Sequence, residues 1–561
     1  MRRRRGGIAA LLSFLVAAAA HAGSTIEAAN AALSTASPLA TKAGLDVLRR
    51  GGNAIDAAVA VAFALAVVHP QAGNIGGGGF LLYYDAGTGD VWALDFRETA
   101  PRTARRDMFQ MPDGAVAPEI RTGPGSAAVP GTVAGLAAAH ERFGSRPWQE
   151  LLAPAVAIAR EGIRVDAEME RELRAERDAR KIDRFSTTAA VFFPEGKPAA
   201  ARSRLVQTDL AATLERIAAG GADDFYRGET ARRLVNGVRA AGGSIGERDL
   251  REYQPVWRSP LKIRFRDYEI YTMPPPSGGG LVLAAALNIL AGYDLSAAGF
   301  QTPLSVHLLA EATRRAYIDR NRYIGDPAST RIPFGRLLSP ERAEQWRSSI
   351  DVNRATPTIT LASPGAVAEG THTTHFTIVD REGNIVALTT TLNENFGSGF
   401  VVPDCGFFLN NAMQDFLAAP GKPDRTGLVA AAPNAIEPGK RMASSMTPAI
   451  IFQRGRPLLA LGTRGGPAIP TTLLQVFLNI AIHGKSVAEA VAAPRFHHQS
   501  APERLDFESG RTPQPLLDAL HALGHGVNPR ERIGDVHAVA IHPDRIVAVA
   551  DPRRGGAAGG L

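Results

Sequence analysis

The feature that most constrains the fold is a short stretch of the sequence that is apolar on every side, residues 57–68. A helix without a polar face has to be buried from all directions. Its 12 residues are too few to cross a bilayer, which takes about 20 residues. The pattern predicts a helix capped by Asn53, preceded by a first helix that begins at Pro38. The chain must therefore build other layers around this helix.

The rest of the sequence predicts what those layers contain. Residues 130–260 carry apolar positions at helical spacing, whereas from Thr373 onward short apolar runs alternate with turn residues. A hairpin is predicted around residues 380–384, and a second one around Arg454-Gly455. Further predicted elements are a hairpin of strands at 80–84 and 91–96, an apolar helix that runs through Leu290, helices at 467–484, 486–493 and 513–523, and a strand pair at 536–541 and 545–549. This order favours an α+β fold in which helices cover sheets in layers.

Two further segments are predicted to be irregular. The glycine tract at residues 73–79 precedes a strand and does not match G-x-G-x-x-G, so it indicates close backbone packing rather than nucleotide binding. Residues 339–370 lose periodicity and contain Thr356-Pro and Ser363-Pro, which is typical of a flexible connection.

The N-terminus has the pattern of a secretory signal. Arg2 to Arg5 precede an apolar run at residues 8–20, and Ala20-His21-Ala22 forms a small-x-small cleavage site. We therefore expect residues 1–22 to be a signal peptide and the protein to be periplasmic or secreted, without a stable membrane span. Four of the seven net positive charges lie in this segment, and no basic stripe with interleaved aromatics remains, so a nucleic-acid partner is not expected.

The sequence offers little for disulfide or metal chemistry. Cys405 is the only cysteine, so it cannot form an intramolecular disulfide, and we interpret it as a structural thiol. No H-E-x-x-H or C-x-x-C motif occurs, so neither a metal nor a cofactor is expected. The adjacent His497 and His498 are interpreted as structural, because neighbouring residues in a strand point to opposite faces.

A pair of threonines offers nucleophile chemistry at the start of a predicted strand. Thr373 and Thr374 follow Gly370-Thr371-His372. A threonine hydroxyl needs a neighbouring base, and its own α-amine can serve if the threonine is the first residue of a chain. Such an amine titrates near 7.7–8.0 and can accept a proton at neutral pH. Because Thr373 is internal, this chemistry requires cleavage of the peptide bond before it; from the pattern alone, two ordinary β-forming threonines remain the alternative.

A series of motifs in fixed order gives Thr373 more weight. The series begins with Thr373-Thr374-His375-Phe376 and continues with Thr391-Leu-Asn393 and Phe396-Gly-Ser-Gly399. It is completed by 409–416 (LNNAMQDF), 444–448 (SSMTP), Gly465-Gly466 and 494–498 (PRFHH), together with 94–101 (LDFRETAP), 129–131 (VPG) and 551–556 (DPRRGG). From about residue 27 to its end, the chain resembles the γ-glutamyltransferase family, also called γ-glutamyltranspeptidases or glutathione hydrolases.

The resemblance implies a fold and a maturation step. The fold would be the four-layer αββα sandwich of N-terminal-nucleophile hydrolases, one globular unit formed by two autoprocessed subunits. Self-cleavage between His372 and Thr373 would give a large subunit, residues 23–372, and a small subunit, residues 373–561. The activity would be γ-glutamyl transfer and hydrolysis through a γ-glutamyl-threonine intermediate. Glutathione is the default donor, and an amino acid, a dipeptide or water is the acceptor.

The resemblance also implies roles for individual residues. Thr373 would be the nucleophile and base, Thr391 would orient it, and the N–H groups of Gly465 and Gly466 would form an oxyanion hole. For the substrate head group, the carboxylate partners would be Arg97, Ser444 and Ser445, and the ammonium partners would be Asn393 and Asp415.

The sequence departs from the family pattern at two positions. Ala412 stands where the family usually has Glu or Gln, which removes one expected partner of the substrate ammonium and weakens the expected preference for a free α-amine. Thr426 stands where relatives often carry an aromatic residue in a loop over the pocket, which would admit water or bulky acceptors more easily.

Two other functions remain open at this point. One is an acylase or amidase of the same scaffold that acts on glutaryl-like or other amides; Asp415 favours the γ-glutamyl reading and Ala412 the acylase reading. The other is a non-catalytic exported binding protein, which would remain a single uncut chain.

Overall fold

The computed structural model describes residues 24–361, 370, 372–418 and 432–561. The predicted signal peptide and Thr426 lie outside these residues. None of the helices in the described ranges is both long and apolar enough to cross a membrane.

Two large sheets form the centre of the molecule as far as the structure describes it. The strands in chain order are β1 (Thr25–Ala28), β2 (Ala32–Thr35), β3 (Gly78–Tyr84), β4 (Val91–Phe96), β5 (Ile163–Arg164), β6 (Arg204–Leu205), β7 (Val256–Arg258), β8 (Leu261–Phe265), β9 (Tyr268–Thr272), β10 (His372–Val379), β11 (Ile385–Asn393), β12 (Ala449–Gln453), β13 (Arg456–Thr463), β14 (Phe496–His497), β15 (Leu505–Glu508), β16 (Val527–Arg530), β17 (Val536–Ile541), β18 (Ile546–Ala550) and β19 (Ala557–Gly560). One seven-stranded sheet has the order β1-β18-β17-β13-β12-β9-β8, and the other has the order β19-β2-β10-β11-β3-β4-β7. Both sheets therefore combine strands from before and from after Thr373.

The helices that the structure describes are α1 (Pro38–Arg49), α2 (Ala54–Val68), α3 (Thr132–Phe143), α4 (Trp148–Glu161), α5 (Ala167–Arg180), α6 (Ser186–Phe192), α7 (Thr208–Tyr226), α8 (Glu229–Ala240), α9 (Glu247–Glu252), α10 (Gly279–Leu290), α11 (Leu295–Ala298), α12 (Pro303–Tyr323), α13 (Phe334–Leu337), α14 (Pro340–Ser348), α15 (Thr358–Leu361), α16 (Ala468–Ala481), α17 (Val487–Ala492) and α18 (Gln514–Ala522).

The two sheets lie face to face between two layers of helices. Side chains on one face of β10, such as Phe376 and Ile378, pack in one core with α1 to α4. The opposite face of that sheet, with Phe80 and Leu82, shares a second core with the other sheet and with α10 and α16. This arrangement confirms the predicted αββα layers, because each helix layer buries an apolar stripe against one sheet.

The apolar stretch at residues 57–68 forms part of a buried helix, as its composition predicts. Helix α2 is buried along its whole length from Ala54 to Val67. The Asn53 side chain accepts hydrogen bonds from the N–H groups of Ile55 and Asp56, each at 3.0 Å, and the Asp56 carboxylate accepts from the Asn53 N–H at 3.0 Å. The predicted cap is thus a reciprocal capping box.

The prediction of an irregular segment at 339–370 is wrong in part. Helix α14 forms there, with Pro340 at its first position and the Ser339 hydroxyl accepting from the Arg342 N–H at 3.1 Å. Its apolar contacts come from only two buried side chains, Ala343 and Trp346, which is too few to give a visible helical period.

The central hairpin β10–β11 positions the start of β10 for chemistry. Thr373 lies opposite Thr391, with a register shift between His372 and Thr373. The glycine tract packs against β11 as predicted: a Cβ atom on Gly77 would lie 2.1 Å from the Thr391 carbonyl oxygen. This close approach fixes the end of β11 beside the candidate nucleophile.

Candidate active site

Thr373 lies on the face of β10 that is turned toward the other sheet. Alternation along the strand places Thr373 and His375 on the same face, and a Cβ atom on Gly462 of β13 would lie 2.3 Å from the His375 ring. His375 is held by Thr389 Oγ1 at 2.8 Å and Thr377 Oγ1 at 2.9 Å. Burial lowers the pKa of His375 well below its usual range, so this imidazole is a neutral structural group.

Thr391 contacts the carbonyl group of the peptide bond before Thr373. Its hydroxyl donates to the His372 carbonyl oxygen at 2.7 Å and accepts from the Asn393 N–H at 2.8 Å. The side chain of Asn74, from the glycine tract, donates to the Thr391 carbonyl oxygen at 3.1 Å. The Thr391 hydroxyl is therefore oriented to polarise this carbonyl group.

Gly465 and Gly466 form the turn between β13 and α16. Both have positive φ values, 133° and 55°, which a side chain would disfavour. Their carbonyl oxygens accept from the N–H groups of Ala468 and Ile469, which begin the helix. The neighbouring Arg464 is close enough to His372 that its charge, after burial, helps to hold the pKa of that imidazole well below its usual range. The turn follows β13, which packs against β10 at Gly462, where a Cβ atom would lie 2.3 Å from the His375 ring.

Arg97 and Asp415 form a buried ion pair. Arg97 Nη2 donates to Asp415 Oδ2, and Arg97 Nη1 donates to Glu98 Oε2 at 2.7 Å. Burial raises the pKa of Asp415 to about 7, against the lowering influence of the Arg97 guanidinium. The two groups predicted to bind opposite charges of a substrate are thus in direct contact with each other.

The serines and Asn393 lie around the same ion pair. Arg97 Nη2 also donates to the carbonyl oxygen of Ala443, the residue before Ser444, at 3.4 Å. The loop at residues 274–278 fixes Ser444 through hydrogen bonds from the Gly278 N–H to the Ser444 carbonyl oxygen and from the Ser444 N–H to the Pro276 carbonyl oxygen. Asn393 Oδ1 and Asp415 Oδ1 both accept from the N–H of Gly370, at 2.7 and 3.3 Å.

Sequence reasoning did not single out Arg320 and Glu98, which belong to this site. Arg320 lies in α12, and its Nη2 donates to Ser445 Oγ at 3.4 Å. Burial lowers the pKa of Arg320 to about 10, while Tyr317 and Asp415 act in the opposite direction. The burial of Arg320 is a property of the folded protein, so no local sequence signal marks this arginine as part of the site.

The side chain of Ala412 lies in an apolar environment. It is fully buried in a small apolar core with Met413 and Phe416. The side chain at this position therefore adds no polar group to the cluster.

The remaining candidate groups are structural. Cys405 is buried, and burial raises the pKa of its thiol to about 12, so no reactive thiolate forms at neutral pH. His497 is hydrogen-bonded through Nδ1 to Thr471 Oγ1 and donates from Nε2 to Gln499 Oε1, each at 2.8 Å, and His498 Nδ1 accepts from the Ser500 N–H.

One group of buried side chains has the composition of a metal site. His307, Glu311 and His525 lie together, but His307 Nδ1 and His525 Nε2 are hydrogen-bonded to each other at 2.8 Å. Glu311 is paired with Arg314 and Arg315. Two guanidinium groups on the only carboxylate disfavour a cation there.

Together, these groups can support acyl transfer from an amino-acid-like substrate. Thr373 offers a hydroxyl next to a polarised carbonyl group, and the glycine turn offers two N–H groups. The adjacent guanidinium and carboxylate can separate to bind the carboxylate and ammonium groups of one α-carbon.

Comparison with known proteins identifies relatives along almost the whole chain. Residues 40–561 match the family model described as Gamma-glutamyltranspeptidase. The chain is 40% identical to the glutathione hydrolase proenzyme of Escherichia coli (strain K12), with 98% of this chain and 97% of the relative covered. It is 37% identical to the Acylase ACY 1 proenzyme of Pseudomonas sp. (strain SE83), with 90% and 89% covered.

A solved structure supports the fold comparison. The crystal structure of cephalosporin acylase from Bacillus halodurans matches with a TM-score of 0.84 and 27% sequence identity, covering 96% of this chain and 97% of that chain. The four-layer architecture is therefore shared over nearly the full length of both proteins.

Proposed function

This chain belongs to the γ-glutamyltranspeptidase family, and from this premise we propose that it cleaves γ-glutamyl amide bonds after cutting its own backbone before Thr373. The observation that carries the proposal is the buried contact between Arg97 and Asp415. A γ-glutamyl group carries its free carboxylate and ammonium on one carbon, so its recognition requires an anion partner and a cation partner side by side. Glutathione is the default donor.

Maturation uses the carbonyl group that Thr391 polarises. The Thr373 hydroxyl oxygen attacks the His372 carbonyl carbon, and the bond to the Thr373 nitrogen breaks, so that an ester replaces the amide. Water then hydrolyses the ester, which releases the His372 carboxylate and returns the Thr373 hydroxyl. Thr373 now carries a free α-amine that can act as its base.

Turnover repeats the same acyl chemistry on a substrate. The α-amine of Thr373 accepts the hydroxyl proton while the oxygen attacks the γ-carbonyl carbon of the donor. The N–H groups of Gly465 and Gly466 stabilise the oxyanion. The amine of the donor leaves with a proton, and water, an amino acid or a dipeptide then accepts the γ-glutamyl group from Thr373.

The head group of the donor is held by the cluster around Asp415. Arg97, Ser444 and Ser445 bind its carboxylate, while Asn393 and Asp415 bind its ammonium group. The hydrogen bond between Arg97 and Asp415, and the contact of Arg97 with the carbonyl oxygen of Ala443 next to Ser444, support this assignment. Binding replaces the internal ion pair by two intermolecular ones, so desolvation of the buried charges is compensated.

The mature protein consists of two subunits from one precursor. We place the cut between His372 and Thr373, which gives subunits of residues 23–372 and 373–561 after removal of the signal peptide. The expected site of action is the periplasm or the exterior, as the pattern of residues 1–22 indicates.

The first prediction tests the nucleophile with a matched neighbour. Thr373→Ala removes the attacking hydroxyl and should leave a single uncut chain without γ-glutamyl hydrolase activity. Thr374→Ala is the control, because the Thr374 hydroxyl is buried without a hydrogen-bond partner in the described part of the chain, and this variant should be cut normally. A denaturing gel and the N-terminal sequence of the smaller fragment report the result.

Rate measurements on the same purified enzyme distinguish the main function from its alternatives. The relationship to an acylase and the apolar setting of Ala412 make an acylase the second candidate. The main function requires a higher kcat/KM for γ-glutamyl p-nitroanilide than for glutaryl p-nitroanilide, since the latter lacks the ammonium group. An uncut wild-type chain would instead indicate a non-catalytic binding protein.

A further inference from the structure

The glycine turn between β13 and α16 presents two N–H groups that are not used within the described part of the chain. The carbonyl oxygens of Gly465 and Gly466 accept from the start of α16, whereas their N–H groups donate to no group among the described residues. Backbone donors in a largely buried turn are normally paired. Two neighbouring donors that remain available fit the oxyanion role assigned to them above.

The hydroxyl of Thr463 contacts the peptide group that carries the first of these donors. Thr463 Oγ1 donates to the Arg464 carbonyl oxygen at 3.0 Å. This carbonyl group and the N–H of Gly465 belong to one planar trans peptide, so they point in opposite directions. The hydrogen bond to the carbonyl oxygen therefore determines the direction in which the Gly465 N–H points.

The Thr463 hydroxyl is itself held in place by the neighbouring strand. Thr463 ends β13 and is fully buried, and its Oγ1 accepts from the Asp535 N–H, just before β17, at 2.7 Å. The backbone approaches closely here, since a Cβ atom on Gly534 would lie 2.9 Å from Thr463 Oγ1. Because the hydroxyl accepts one hydrogen bond and gives its only hydrogen to Arg464, its orientation is defined.

Rotation of this peptide group would reverse the polarity of the turn. Gly465 has a φ of 133°, in a region open to glycine, so the backbone alone does not define the orientation of its N–H. In the rotated peptide, the Arg464 carbonyl oxygen would point where the N–H pointed and would repel an oxyanion there. The buried Thr463 hydroxyl would also lose its acceptor, which disfavours the rotated form.

We propose that Thr463 is a positioning residue for the oxyanion hole, whose hydroxyl holds the Arg464–Gly465 peptide with the Gly465 N–H directed at the oxyanion. This inference rests on the proposed function. The hydrogen bonds of the Thr463 hydroxyl in the described part of the chain go to Arg464 and Asp535, not to the head-group cluster. Thr463 therefore stabilises the transition state through Gly465 and leaves binding of the donor unchanged.

Three variants separate positioning from packing. Thr463→Val keeps the shape and the strand preference but removes the hydroxyl, whereas Thr463→Ser keeps the hydroxyl. Thr472→Val is the matched control in α16. Thr472 is fully buried, its Cγ2 would lie 3.2 Å from a Cβ atom on Gly534, and its hydroxyl has no hydrogen-bond partner among the described residues.

Turnover and binding are both measured on the cut fraction. The substrate is γ-glutamyl p-nitroanilide, and the binding probe is a boronic acid analogue of glutamate, whose boron replaces the γ-carbonyl carbon and becomes tetrahedral when it bonds to the Thr373 oxygen. Thr463→Val should lower kcat roughly tenfold to 10²-fold at an unchanged KM. Its affinity for the boronic acid should fall with kcat, while Thr463→Ser and Thr472→Val should match the wild type.

Each contrary outcome has a definite meaning. A wild-type kcat in Thr463→Val would overturn the inference, as would an equal loss in Thr472→Val or a loss that persists in Thr463→Ser. A change confined to KM would also overturn it, because positioning of the oxyanion donor acts on the transition state. Failure of the proposed function differs, since the wild type would then not hydrolyse the anilide. Thr463→Ala decides the matter if Thr463→Val yields no cut fraction.

Discussion

At the scale of a single residue, the hydroxyl of Thr391 makes two hydrogen bonds at the candidate active site. It donates to the carbonyl oxygen of the bond that we propose is cut, and it accepts from the backbone N–H of Asn393. A donor placed in this way stabilises the negative charge that develops on that oxygen during attack.

This geometry gives the prediction for residue 391. Thr391→Val keeps the shape and the strand preference but removes the donor, so maturation should slow by roughly 10²-fold. Thr391→Ser keeps the hydroxyl and should retain most of the rate. The time course of precursor conversion measures both, and a wild-type rate in the valine variant would show that the hydrogen bond contributes nothing to cleavage.

The candidate residues were predictable because they lie in motifs, while their contacts were not. Thr373, Arg97 and Asp415 could be named from the sequence, but the ion pair joining the last two spans 318 positions. Arg320 was missed because nothing in the local sequence distinguishes a buried arginine of the site from the paired arginines elsewhere on the same helix. Long-range side-chain contacts of this kind are set by the packing of layers, not by local propensity.

At the scale of elements, the two helices that begin the chain differ in how their N-termini are satisfied. Helix α2 has the Asn53–Asp56 capping box, whereas Ser37 at the start of α1 makes no side-chain capping bond. The Asp56 carboxylate additionally accepts from the Ser145 N–H at 2.9 Å, which ties this helix end to the loop after α3. A buried helix with no polar face depends on these bonds at its end.

Asn53→Ala should therefore lower the free energy of unfolding by about 1 kcal/mol. Ser37→Ala is the matched control and should change it by less than about 0.5 kcal/mol. Urea unfolding in the uncut Thr373→Ala background measures both on a single chain. Equal effects of the two substitutions would show that the cap is not what stabilises α2.

Helices and strands with a clear hydrophobic periodicity were predicted well, whereas very short strands were not. The hairpins around 380–384 and 454–455 and the helix at 468–481 form as expected. Strands β1, β2 and β19 have four residues each, which is too short for alternation to be read, and they form because neighbouring strands supply hydrogen bonds.

At the scale of the whole molecule, buried neutral histidines link stability to pH. Burial lowers the pKa of His497 to about 4, compared with about 6.5 in an unfolded chain. Between these values the unfolded state binds the proton and the folded state does not, so stability falls as the pH drops from about 6.5 to about 4.

The expected loss from His497 alone is roughly 1–3 kcal/mol at pH 4. His497→Asn should flatten the decline of the urea midpoint between pH 6.5 and pH 4, because an amide does not titrate there. The comparison again uses the uncut Thr373→Ala background. Identical slopes with and without His497 would assign the acid sensitivity to other groups.

The interleaving of strands from the two sides of Thr373 has a consequence for the lifetime of the enzyme. Neither of the two proposed fragments contains a complete sheet, so we expect neither to keep its shape alone. Before the cut, a molecule that opens can close again, because a covalent tether keeps its halves together. After the cut, opening disperses two incomplete partners that must find each other by diffusion. After maturation, dissociation of the two subunits is therefore effectively irreversible. The lifetime of the active form is then governed by its rate of opening.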